Sequence, residues 1–141
     1  MRISFKLMAL SFSAGCVGGL SNSVVVWLAG AIGITTSLSV GIAPSLTPDW
    51  LYPRVVWGGL WGFLFLLPLL KSSTYIRGLI FSLGPTAVQL LIIFPYVANK
   101  GYFGFGLGAL TPVFVVIFNA VWGLAAAAIL ERFEHESVDA A

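Results

Sequence analysis

Polar and apolar positions along this chain alternate in long blocks, and the charged residues mark the block edges. Uncharged runs cover 7–48, 55–70, 78–99 and 101–130. An α-helix rises about 1.5 Å per residue and a hydrocarbon core is about 30 Å thick, so roughly 20 apolar residues cross it. The third and fourth runs meet that length. The first holds one span, because Thr35, Thr36, Ser37, Ser39, Gly41, Pro44 and Ser45 make the 35–48 stretch too polar and broken for a second, and it reads as a loop. The run 55–70 is short and crosses by tilting or by using Tyr52 and Arg54, whose side chains reach toward headgroups. The pattern predicts an all-α integral membrane protein, a four-transmembrane-helix bundle with spans near 7–33, 53–70, 77–98 and 103–130. These form a single membrane domain over 1–141, ending in a short cytoplasmic tail at 131–141.

Composition removes the soluble alternatives. Of the 141 residues, 59% are hydrophobic and 9% charged, against about 25% charged in a soluble domain, so the chain cannot maintain a water-facing surface. Charge position then sets orientation. With the N-terminus inside, Arg2, Lys6, Lys71, Arg77 and Arg132 lie on the inner side and Arg54 and Lys100 on the outer, which predicts both termini in the cytoplasm. A bacterial inner (plasma) membrane is the expected location, with membrane lipid as the surrounding partner. Arg2 and Lys6 followed by Ser13, Ala14, Gly15 and Cys16 raise a lipoprotein signal, but the apolar run continues past Cys16 through Val26 and Trp27, so an uncleaved first helix is expected.

Small residues recur at a spacing of four. Gly15 with Gly19, Gly58 with Gly62 and Gly104 with Gly108 give three spans a flat strip on which another helix can approach, and glycine-rich helix interfaces are expected. At 100° per residue, Gly15, Gly18, Asn22, Val26, Ala29 and Gly33 share a face of span one. Gly78, Ser82, Pro85, Gln89 and Tyr96 do so on span three, and Gly108, Pro112, Asn119, Gly123 and Ala126 on span four. Each of these spans thus carries its strongest polar residue on its small-residue face. An amide without a partner is costly in lipid, so Asn22, Gln89 and Asn119 should face inward and meet near mid-membrane as a polar layer. Pro85 and Pro112 are candidate kinks.

Apart from Arg54 and Arg77 at the margins of spans two and three, no Asp, Glu, Lys, Arg or His lies inside a span, which leaves no equipment for a proton relay or a charge-coupled pump. No nucleophile has a base near it in sequence, no phosphate-binding glycine loop is present, and the basic residues are too scattered for nucleic acid. No enzyme activity, catalytic residue, cofactor or metal is expected; the tail containing Glu131, Arg132, His135 and Glu136 reads as a solvated helix end. On the outer side, Thr47, Pro48 and Asp49 read as a helix start. Arg54 is expected to pair with Asp49 or a lipid phosphate, or to form an anion-attracting vestibule with Lys100.

Two functions fit. One is a non-enzymatic packing or accessory subunit of a membrane assembly, with copies of itself as a homo-oligomer or within a larger complex. The other is an oligomeric channel or facilitator for a small uncharged or weakly charged solute, lined by Asn22, Gln89 and Asn119.

Overall fold

The computed structural model describes residues 3–140; Arg2, one of the charges used for orientation, lies outside them. The described residues form helices and connecting turns with no strand. Helix α1 spans Phe5–Ala31, with the Ser4 side chain accepting from the Leu7 amide at its start. It ends two residues before Gly33, whose φ of 84° a helix cannot continue. A short helix α2, Ile34–Ser37, follows inside what the polarity pattern reads as loop. Helix α3 spans Pro48–Gly62 and begins with Thr47 capping the Trp50 amide, Pro48 in the first turn and Asp49 beside it. A single 3₁₀ turn, Phe63–Leu66, prolongs α3, and the chain leaves helical geometry at Leu67 rather than at Leu70.

The next long helical stretch is built from three pieces. Helix α4 spans Thr74–Phe81, α5 spans Leu83–Val88, and a π-helical segment covers Gln89–Val97. Pro85 sits at this junction, and Thr86 Oγ1 donates to the Ser82 carbonyl at 2.7 Å, one turn back. Helix α6 spans Thr111–Asp139. Three stretches, Phe5–Ala31, Thr74–Val97 and Thr111–Asp139, are long and apolar enough to cross a membrane.

The fourth predicted span needs correction. Residues 103–110 are not helical in the α sense: Tyr102–Leu107 is a 3₁₀ stretch in which Phe103 has φ 60° and Gly104 φ 69°, and Gly108 has φ 143°. Gly104 and Gly108 are therefore turn residues, placed where positive φ is required, and their spacing of four is not a helix face. Pro112 lies in the first turn of α6, where it starts the helix and produces no kink.

Helix α1 packs mainly on α3 and α6, and α4 packs on α6. Two apolar clusters hold these contacts. One gathers Ala14, Phe65, Phe81, Trp122, Ala126, Ala127 and Leu130 toward the chain termini. The other gathers Val26, Ala29, Val40, Phe114 and Phe118 toward the opposite, loop end. Segment 38–47 turns back over that end: Thr35 Oγ1 donates to the Ile42 carbonyl at 2.6 Å, the Gly41 amide to the Leu107 carbonyl at 2.8 Å, and Val40 is buried.

Candidate functional site

The site starts from how closely α1 and α3 approach. A Cβ on Gly15 would collide with the Gly58 carbonyl oxygen and lie 2.8 Å from the Gly62 Cα; one on Gly58 would lie 2.8 Å from the Gly19 Cα. Cys16 sits mid-helix beside this crossing, 2.6 Å from where a Gly59 Cβ would be. Across from them, the Trp122 indole of α6 donates to both the Gly15 and Gly58 carbonyls at 3.2 Å. On the other side of α6, Gly123 meets Gly78 of α4 backbone to backbone. Gly15, Gly19, Gly58, Gly62 and Gly123 therefore all lie against other parts of the same chain.

One turn beyond Trp122, between the two apolar clusters, lies a connected set of polar side chains. Asn22 Nδ2 donates to the Phe118 carbonyl at 2.6 Å and to Asn119 Oδ1 at 3.4 Å. Asn119 Nδ2 donates to Thr86 Oγ1 at 3.0 Å and Gln89 Oε1 at 3.3 Å. Asn22 and Asn119 are each 8% exposed, so these bonds are largely shielded, and an unmade one is costly. A cysteine pair at positions 22 and 119, in a Cys16→Ala background, is expected to cross-link readily under mild oxidation. Failure in a folded protein would mean that α1 and α6 present different faces to each other.

Arg54 joins this set. Its Nη2 donates to Asn22 Oδ1 at 2.7 Å and its Nε to Ser23 Oγ at 3.0 Å, while Ser23 in turn donates to the Gly19 carbonyl at 2.7 Å. The guanidinium lies 4.6 Å from the centre of the Trp50 ring. The expected pairing with Asp49 is not made: among the described residues the arginine–carboxylate pair is Arg132 with Glu136, and His135 lies 3.8 Å from Glu131, both toward the exposed end of α6. Asp49 and Lys100 are exposed and do not line the Arg54 cavity, so no vestibule shared by Arg54 and Lys100 forms. The reason is geometric. Arg54, Gly58 and Gly62 succeed one another at a spacing of four, so the strip that packs α3 on α1 also aims Arg54 at α1.

Two cavities meet at these side chains. One, of about 340 Å³, lies under segment 41–44 with Val26, Trp50, Phe94 and Phe118 in its walls. The other, of about 310 Å³, is a cleft between Pro53, Trp57 and Trp61 of α3 and Pro85, Val88 and Ile93 of the broken helical stretch, with Gly19, Gly58 and Trp122 at its floor. Asn22, Arg54, Gln89 and Asn119 line both. The described residues supply no hydrogen-bond partner for Nη1 of Arg54 or Nε2 of Gln89. Two kinds of donor therefore remain unengaged in a place that holds a positive charge and no carboxylate.

The π-helical segment shapes the far wall. Its wider turn breaks the 3.6-residue arithmetic beyond Gln89, so Leu90 and Phe94 turn inward and Tyr96, expected on the inner face, is 68% exposed. Pro95 lies inside this segment, and its missing amide accompanies the wide bonds from Ala98 to the Ile93 carbonyl and from Lys100 to the Phe94 carbonyl. Among the described residues no group of three or more His, Cys, Asp or Glu is placed to hold a metal ion. Comparison with protein-family models, curated proteins and solved structures finds no match to this chain.

Proposed function

We propose that this chain is a four-span membrane protein, both termini cytoplasmic, that binds a small anionic group at Arg54, Asn22, Gln89 and Asn119. Helix α3 with its 3₁₀ turn is the fourth crossing, short and shielded by its tight contact with α1. In this reading the polar set lies within the membrane, at the depth expected for Asn22, Gln89 and Asn119. A bacterial inner membrane suits such a bundle.

The observation that carries the proposal is the guanidinium without a counterion. A cation held within a membrane with only neutral hydrogen-bond partners is expensive, and a mobile anion in the adjoining cavity relieves that cost. The unengaged donors of Arg54 and Gln89 suit carboxylate or phosphate oxygens and halide lone pairs, and the fork of an arginine suits a planar or tetrahedral oxyanion. In this reading the protein is a binder or facilitator that holds the anion by charge and hydrogen bonds. This is the solute-handling function expected from the polar layer, with a negative charge added to the description of the solute.

The accessory-subunit reading loses its main argument. The strips of Gly15, Gly19, Gly58 and Gly62 are occupied within the chain, leaving them unable to receive a second copy. The test uses Trp50, whose ring stacks on Arg54. Titrating detergent-solubilised protein with acetate or phosphate should change Trp fluorescence saturably, whereas acetamide should not. An equal response to acetamide, or none to either anion, would contradict the proposal.

A further inference from the structure

We propose that the anion is the head of an amphiphile whose apolar chain lies in the lateral cleft between α3 and the α5–π segment. The inference rests on Arg54 being an anion site and adds what occupies the rest of the space. The polar set is shared by two cavities of different character. The cavity under segment 41–44 offers amides, a guanidinium and backbone; the cleft offers Trp57, Trp61, Pro85, Val88 and Ile93, with its only polar groups at the shared end. A small hydrophilic anion would use the first and leave the second with nothing to do. A molecule with a charged head and a hydrocarbon chain matches both.

The cleft opens sideways. Trp57 is 62% exposed and Ile93 39%, so its rims face the surroundings, while Trp122 at the floor is only 3% exposed. In a bilayer those rims meet lipid tails, and a single-chain amphiphile can slide in without its chain entering water. A hydrocarbon chain gains little by leaving lipid for such a cleft, so affinity comes from the head on Arg54 and the cleft acts as the path and the length filter.

The fluorescence of Trp122, taken as the difference between the unaltered chain and its Trp122→Phe variant so that Trp50, Trp57 and Trp61 stay in place, tests this in nanodiscs. A dibrominated long-chain fatty acid should quench Trp122 saturably at low mole fraction. Its methyl ester, brominated to the same degree but without charge, should quench it at least tenfold less effectively. Ile93→Trp is to be read in the same background with Trp122 changed to Phe as control for its own emission; filling the rim should weaken the fatty acid at least fivefold while leaving acetate binding, measured by displacement of labelled acetate, unchanged. Acetate binding that is intact while the brominated acid fails to quench Trp122 would overturn the amphiphile and leave the anion site standing. Loss of both would overturn the anion site as well, and equal quenching by acid and ester would show a cleft for chains without a head-group site.

Discussion

Replacing Gly58 and Gly62 together by leucine is expected to unfold the bundle rather than to dissociate an oligomer. A side chain on Gly58 would meet the Gly15 carbonyl at 2.7 Å and the Gly19 Cα at 2.8 Å, and one on Gly62 would meet the Ser11 carbonyl and the Gly15 Cα at 3.0 Å. These obstacles are backbone, which cannot rotate aside. Overpacking a tight contact costs about 1–3 kcal/mol per site, and here the helices must separate, which also withdraws the Gly15 and Gly58 carbonyls from Trp122. The double variant should lose about 3 kcal/mol or more, seen as a large fall in Tm in mild detergent. An unchanged Tm would mean that α1 and α3 do not cross at these glycines. A fall in oligomeric mass with the monomer's Tm intact would place the strip between copies.

Arg54→Gln is expected to remove anion binding while sparing the fold. Glutamine keeps an amide that reaches toward Asn22 or Ser23 but has no charge, and a hydrogen bond to a charged group contributes about 1.5–3 kcal/mol. Acetate affinity should therefore fall by about tenfold to a hundredfold. Arg54→Lys should restore part of it, since the charge returns without the planar fork. Stability should hold or rise in Arg54→Gln, because an uncompensated buried cation has been removed. Unchanged acetate affinity in Arg54→Gln would disprove the site; a collapse of Tm with it would make Arg54 a structural pin.

Much of this arrangement is readable from residue spacing alone. The uncharged runs locate the three stretches long and apolar enough to cross a membrane, because a charge in a membrane is costly enough to define edges. Asn22, Gln89 and Asn119 come together as the helical angle implies, since each shares a face with small residues that must pack. The failures have separate causes. Gly104 and Gly108 mimic a helix strip, but spacing carries no information about φ, and both residues sit at positive φ. Tyr96 leaves its predicted face because a π-helical turn changes the period. The charge of Arg54 predicts the membrane edge, whereas its spacing from Gly58 and Gly62 places it on the inward strip. Thr86 stands three residues before Gln89 and accepts from Asn119, but a hydroxyl that also bonds to its own helix carries little signal of this in the sequence. The return of segment 38–47 over the loop end, held by the Gly41 amide and Thr35 Oγ1, depends on long-range bonds that no local pattern announces.

The central claim is that an anion sits on Arg54 inside the bundle. Crystals grown in a lipidic mesophase and soaked in bromide test it directly by anomalous scattering. The account predicts a bromide peak in the cavity bounded by Arg54, Asn22, Gln89 and Asn119, within hydrogen-bond reach of the guanidinium. A cavity without bromide, with Arg54 paired instead to a carboxylate of the protein, would contradict it.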